Sequence, residues 1–309
     1  MLESTFESGA TSVRLLKKAV RHPLRAVSRL VQNARLARLH EAQERDTSVA
    51  FLSKAFHTDV RSILDKHERS GIGTWIEHRR AQLKDFPGPY RLGATPPFDC
   101  DTLYLLVRSL KPEVVVETGV CYGVSSAYIL EALKDNGRGA LYSIDLGNPP
   151  NEPPNDFFVP RHLMDRWHLI IGDCKQELPL LLERLGRIDL FHHDSLHTYE
   201  HMMWEYSTAL PYLSAKGILS SHDVRTIVDL RKPFQRNPFS VFCERHRLRS
   251  VMSFNLGIAM RAQGVSGRPD ARSGAGAPKQ ERRTGSRAAG FGLDSASSDL
   301  PSRKKRYGR

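Results

Sequence analysis

Apolar positions along this chain follow two rhythms. In TSVRLLKKAVRHPLRAVSRLVQNARLARLHEA (11–42), Leu16, Val20, Leu24, Val27, Val31 and Ala34 recur at spacings of three and four, with Arg and Lys between them. That period predicts a basic amphipathic helix, or two helices broken near Pro23, since proline removes a helix donor. Residues 48–85 continue in an irregular helical pattern, and DFPGPYRLGATPPF (85–98) reads as a loop. From Asp99 the second rhythm begins. DTLYLLVRSL is helical, EVVVE is a short β-branched strand ending at TGVCYG, SSAYILEALK is helical and closed by DNGRG, and ALYSIDL is the next strand. WHLIIGD (strand), CKQELPLLLERLG (helix), IDLFHHD (strand), YEHMMWEYSTALPYL (helix), SAKG (turn) and ILSSHD (strand) follow, and SVMSFNLGIAMR (250–261) supplies one more strand. Strands alternating with helices predict an α/β fold: a parallel sheet with helices on both faces.

From residue 262 the chain is rich in Gly, Ser, Ala and Arg and has almost no large apolar residues. Such a segment buries too little surface to offset its ordering entropy, so it is expected to be disordered. The segments are therefore 1–42 (basic helical), 43–89 (helical extension), 90–261 (sheet-forming domain) and 262–309 (tail). Net charge sharpens this division. Residues 1–40 carry +6 and 262–309 carry +7, leaving the middle at −1 of the total of +12. A protein that grips nucleic acid usually places its basic charge on the folded face doing the gripping, so nucleic acid is not the expected partner. The N-terminal helix has two readings: peripheral contact with an anionic membrane, or packing on the body or a partner subunit through self-association. No apolar run approaches the roughly 20 residues of a membrane span, and no secretory signal opens the chain. Four cysteines, Cys100, Cys121, Cys174 and Cys243, show no C-x-x-C spacing, and the default setting is cytoplasmic.

Ligands of an open α/β sheet bind at the carboxyl ends of its strands. The strands deliver there, in order, ETGVCYG, Asp145, Asp173, Asp194 and the pair His222-Asp223, so all five end in acidic residues. Packing alone does not require that. Gly119 and Gly123 allow a tight turn and a close backbone approach to a ligand before a helix opens at Ser125 or Ser126. G-x-G-x-x-G is absent, which argues against a nicotinamide oxidoreductase. Glu117 would repel a phosphate and suits a ligand with a positive centre or hydroxyls. Asp145 is placed to accept hydrogen bonds from two ribose hydroxyls, and Asp173 is within reach of a base edge.

Taken in order, VVVETGVCYGVSSAYIL, LYSIDL, LIIGD, IDLFHHDSLHTYE and PYLSAKGILSSHDV resemble a class I S-adenosylmethionine-dependent methyltransferase. The branch resembled contains sugar O-methyltransferases of macrolide and aminocoumarin pathways and cephalosporin-hydroxylase-like proteins. The resemblance spans about residues 90–261 and implies a Rossmann-like, doubly wound sheet of about seven strands whose last strand, SFNLGIAM, is antiparallel. It implies S-adenosyl-L-methionine as cofactor, with Glu117, Gly119, Gly123 and Ser125 in the glycine loop, Asp145 at the ribose and Asp173 at the adenine. It further implies a divalent metal (Mg²⁺, Mn²⁺ or Fe²⁺) at Asp194, Asp223 and His222, the last replacing an acid of the family. An imidazole in that set suits Mn²⁺ or Fe²⁺ better than Mg²⁺. The family's D-G-D-H is here Asp194-Ser195-Leu196-His197, without the second aspartate.

FHHDSLHTYEH (191–201) holds four histidines. His192 and His193 are adjacent on a strand and point to opposite faces, so at least one is structural. His201 reads as a packing or surface residue. His197 is the candidate base, since imidazole titrates near neutrality, and Asp194 is its candidate catalytic partner. GVSSA lacks the second glycine of a nucleophile elbow, which sets aside a serine hydrolase. The Pro-rich loop 147–160 reads either as an acceptor-side lid, with Phe157 and Phe158 as apolar contacts, or as a passive surface loop. The leading expectation is methylation of a hydroxyl on a small-molecule acceptor such as a sugar. The alternative is a non-catalytic methyltransferase-like protein tethered by its basic ends to a membrane or polyanion.

Overall fold

The computed structural model describes residues 42–67, 71–86, 95, 97–224 and 236–262. Nearly all of the basic helix expected over 11–42, and the tail beyond residue 262, lie outside the described residues.

A seven-stranded sheet organises the chain. Its strands are β1 (Val114–Thr118), β2 (Ala140–Asp145), β3 (Trp167–Ile171), β4 (Ile188–His193), β5 (Leu213–Ser221), β6 (Leu248–Ser253) and β7 (Leu256–Arg261). They lie in the order β3-β2-β1-β4-β5-β7-β6. β1 to β5 pair in parallel, β7 runs antiparallel to β5, and β6 antiparallel to β7. The chain leaves β1 toward β2 on one side and returns through β4 on the other. That reversal opens a crevice above the carboxyl ends of β1 and β4. The stretch 250–261, expected as one strand, is part of a hairpin. Phe254 and Asn255 turn the chain, Phe254 at φ +49°, and Ser253 pairs with Leu256 across the turn. Phe254 carries strand propensity, which hides the turn from a pattern reading.

Helices cover both faces because successive strand residues face opposite ways. Val115, Leu141, Leu190, Ile218 and Ile258 face one apolar cluster. Their neighbours Val116, Phe191, Leu219 and Ala259, with Ile144, face the other. The first cluster packs against α4 (Pro97–Leu110) and α5 (Val124–Asn136), the second against α6 (Cys174–Leu185), α7 (Tyr199–Ala209) and α8 (Pro238–Arg245). The helices ahead of the sheet are α1 (42–56), α2 (Val60–His67) and α3 (Ile72–Ala81). Through Leu52, Val60, Leu64, Ile72 and Ile76 they share the first cluster and are part of its core. No described helix is long and apolar enough to cross a membrane.

The loop 147–160 is no lid. Phe157 and Phe158 are 5% and 0% exposed and belong to the first cluster. The Phe158 carbonyl accepts the Trp75 indole N–H at 2.8 Å, the Phe157 carbonyl accepts Arg79 Nε–H at 2.8 Å, and the Arg79 guanidinium lies 3.9 Å from the Phe157 ring centroid. Two consecutive aromatics in a Pro-rich loop resemble ligand contacts in sequence, but here they fasten the loop to α3. Phe158→Ala should therefore cost about 3–5 kcal/mol of stability by emptying a packed site. Denaturant unfolding measures this; a loss below about 1 kcal/mol would show that the ring is not core.

Candidate active site at the carboxyl edge of the sheet

Beyond β1 the chain turns through Gly119–Gly123 into α5. Gly119 has φ +82°, and a Cβ there would lie 2.1 Å from the Asp194 carbonyl oxygen. Gly123 has φ +85°, and its Cβ would meet the Asn155 carbonyl oxygen at 2.5 Å. Both positions require glycine, for conformation and for space. Asp145 ties the turn down. One carboxylate oxygen accepts the Val120 and Cys121 N–H groups at 2.7 and 3.1 Å, and the other accepts Gly147 N–H at 2.7 Å. Asn148 and Asn155 donate to the Cys121 carbonyl at 2.7 and 2.9 Å, so the loop 147–160 braces the same turn.

Glu117 lies beneath the turn and is fully buried. Its carboxylate accepts the hydroxyls of Ser125, Ser126 and Ser143 at 2.7, 2.6 and 2.7 Å. Burial raises its pKa to about 7, against the pull of those three hydrogen bonds. Glu117 thus supports the turn from below and is not part of the cleft wall, whereas Ser125 reaches both.

That wall encloses about 430 Å³, formed by Thr95, Gly119 to Tyr122, Val124, Ser125, Asp194, His197, His222, Asp223 and Asn255. Opposite the glycine turn is a cluster from the ends of β4 and β5. Asp194 Oδ1 is 3.0 Å from His222 Nδ1 and 3.5 Å from His197 Nε2. His197 Nε2 is also 3.2 Å from Asp223 Oδ2. Thr95 donates to Asp194 Oδ2 at 3.3 Å, and the Asn255 amide donates to Asp223. Behind His222, Nε2 is 3.4 Å from buried Asp99, an ion pair rather than a hydrogen bond. Burial opposes a charge on His222, yet Asp194, followed by Asp99 and Asp223, holds it up to about 10. Burial likewise works against the Asp194 carboxylate, but His222 outweighs it and lowers the Asp194 pKa. Burial lowers the His197 pKa against the attraction of Asp194.

The other expected site residues, Asp145 and Asp173 among them, do not line this cleft. Asp173 is exposed and caps α6, accepting Lys175 N–H at 2.9 Å. His192 is buried against Ser220 Oγ at 3.2 Å, and burial lowers its pKa to about 3. His193 turns the other way and meets Glu205 Oε2 at 2.5 Å. Both strand histidines are thus internal. His201 is not a surface residue: it is 6% exposed and pairs with Glu205 at 3.0 Å. Asp99, Thr95 and Asn255 escaped the sequence reading. They come from α4, the segment before it and the β6–β7 turn, and no local pattern marks them.

A sheet ordered 3-2-1-4-5-7-6, with a glycine turn after β1 and an acid after β2, is the Rossmann-like methyltransferase fold. Residues 116–224 match the family model described as a methyltransferase domain. No curated protein matches the chain in sequence. Among solved structures, the chain is similar to the SAH-bound Podospora anserina methyltransferase PaMTH1 at 17% identity, covering 71% of this chain and 95% of that one, with a TM-score of 0.46. It is also similar to the SAM-bound O-methyltransferase TomG from Streptomyces achromogenes at 16% identity, covering 62% and 89%, with a TM-score of 0.47. The MycE methyltransferase of the mycinamycin biosynthetic pathway, solved with Mg and SAH, is 15% identical, covering 52% of this chain and 48% of that one, with a TM-score of 0.40.

Glu117 makes the site pH-sensitive. A folded pKa of about 7 against an ordinary 4.5 means its stabilising contribution is full below about 4.5 and is lost as pH rises through about 7. Glu117→Gln should cancel that loss. Denaturant midpoints of wild type relative to the variant should fall between about pH 5 and about pH 8; a constant difference would show that Glu117 ionises normally.

Proposed function

We propose that this chain is an S-adenosylmethionine-dependent O-methyltransferase acting on a hydroxyl of a small molecule, with a sugar as the first candidate. The observation that carries the reading is the single cleft bounded by the glycine turn on one side and by Asp194, His197, His222 and Asp223 on the other. Cofactor and acceptor chemistry need that juxtaposition, because an in-line transfer gains most of its advantage from alignment.

Gly119, Gly123 and Ser125 are assigned to the cofactor side, with Glu117 supporting the turn. Asp145 is assigned to the ribose hydroxyls. Its oxygens already hold three amides, and a carboxylate has about four lone-pair sites, which leaves one for a ribose hydroxyl. Asp173 is assigned to the adenine edge. Near it, Leu146 and Ile171 are 77% and 56% exposed, an apolar rim suited to a planar base. Bound S-adenosylmethionine would supply an electrophilic methyl group. The chain's own part is to hold the acceptor hydroxyl and take its proton.

His197 is assigned as the base, taking that proton on its imidazole. Asp223 and Asp194, 3.2 and 3.5 Å away, stabilise the imidazolium formed. Asp194, His222 and Asp223 are assigned to a divalent ion, which would stabilise an alkoxide. Two carboxylates and an imidazole favour Mn²⁺ or Fe²⁺ over Mg²⁺. The ion must displace a proton from His222, so its affinity should rise with pH. His197 Nε2 also lies close enough to join a cation with Asp194 and His222. At that nitrogen, ligand and base are exclusive roles, and the base is the one assigned here.

Calorimetric titration with S-adenosylmethionine and S-adenosylhomocysteine tests the cofactor reading. Binding at about 1 to 100 μM by the intact chain, lost in Asp145→Ala with unchanged circular dichroism, is expected. Absence of binding by the folded chain would overturn it. With an acceptor in hand, His197→Ala should slow turnover by at least about tenfold with cofactor affinity unchanged. Loss of affinity instead would make His197 a structural residue.

A further inference from the structure

A second group of ligating side chains lies outside the cleft. Cys174 opens α6, Ser195 follows Asp194 beyond β4, and His201 and Glu205 stand one turn apart on α7. Cys174 is remote in sequence from the other three, yet all four converge in space. Cys174 Sγ is 3.4 Å from His201 Nε2, and His201 Nε2 is 3.0 Å from Glu205 Oε1. Ser195 Oγ is 3.2 Å from the same nitrogen and donates to the same carboxylate oxygen at 2.8 Å. The ligand atoms of Cys174, His201 and Glu205 all lie within 4.8 Å of one another.

This is not a nucleophile triad. A relay uses both imidazole nitrogens, one toward the thiol and one toward the carboxylate. Here the thiol and the carboxylate face the same nitrogen, Nε2, while Nδ1 is buried with no hydrogen-bond partner. Several donors aimed at one point instead describe a coordination centre. Zinc bonds of about 2.0 Å to N and O and about 2.3 Å to S place tetrahedral ligands roughly 3.3–3.6 Å apart. The observed separations of 3.0 and 3.4 Å need only a slight expansion. Glu205 is already anchored through its other oxygen by Thr118 Oγ at 2.6 Å and His193 Nδ1 at 2.5 Å, which leaves Oε1 pointing into the group. Such outer contacts orient a ligating carboxylate. Glu205 is fully buried, whereas Cys174 is only partly so and gives an ion a way in.

We propose that Cys174, His201 and Glu205, with Ser195 or a water at the fourth position, form a binding site for a thiophilic divalent cation of the Zn²⁺ type. It would clasp the start of α6 to the segment carrying Asp194 and His197, and it is separate from the Asp194–His222–Asp223 cluster. A thiol binds a metal only as thiolate, so binding releases the Cys174 proton and strengthens with pH.

Titration of the reduced, chelator-stripped full chain with Co²⁺ is the test. Occupancy of this site gives a thiolate-to-Co²⁺ charge-transfer band and the visible bands of tetrahedral Co²⁺, all abolished by Zn²⁺. Both signals should persist in Asp223→Ala and in Cys121→Ala, which exclude the cleft cluster and its thiol. They should vanish in Cys174→Ser and in His201→Gln. Absence of the thiolate band in the intact folded chain, or its survival in Cys174→Ser, overturns the proposal. Full Zn²⁺ protection against unfolding in Cys174→Ser would overturn it equally.

Discussion

The site depends on how closely two backbones meet at the centre of the sheet. Gly119 packs against the Asp194 carbonyl with no room for a methyl group between them. Asp194 N–H donates to the Thr118 carbonyl across that meeting point, and Gly119 N–H ties the turn to the Ile144 carbonyl of β2, both at 2.8 Å. One side of that contact carries the glycine turn, the other the Asp194–His197 segment. A side chain at position 119 would push apart the two halves whose alignment the proposed chemistry needs. Parallel strands with helices between them supply this meeting point, because strand order reverses between β1 and β4.

Around that centre, buried carboxylates are handled in two ways. Glu117 receives only neutral hydroxyls, so burial dominates and its proton is held more tightly. Glu205 and Asp194 receive imidazoles, which overcome burial and keep both ionised. The first solution gives a rigid prop under a loop. The second gives anionic sites that attract protons or cations, at the edge where the strands open to solvent. Chemically similar groups are thus divided between support and reactivity by their partners alone.

The surrounding elements act as bracing. α3 grips the loop 147–160 through Trp75 and Arg79, and that loop in turn holds the glycine turn through Asn148 and Asn155. The segment ahead of the sheet is therefore continuous with the support of the site. α4 brings Asp99 behind His222, and the β6–β7 turn brings Asn255 to Asp223. Two parts of the chain outside the matched residues 116–224 thus shape the polar side of the cleft.

The sequence by itself determined the alternation of strands and helices, the glycine turn and the acids at the strand ends. Each rests on a local rule: period two or 3.6 for the elements, freedom at positive φ for Gly119 and Gly123, and strand direction for Asp145, Asp194 and Asp223. It also separated His192 from His193, since neighbours on a strand face apart. It did not place Phe157 and Phe158 in the core, divide 250–261 into a hairpin, or join Asp99, Thr95 and Asn255 to the cluster. Nor did it gather Cys174 and Ser195 with the i, i+4 helical pair His201 and Glu205. Those arrangements arise where separate strands and helices end side by side. Only tertiary structure decides which side chains then compete for the same space and the same proton.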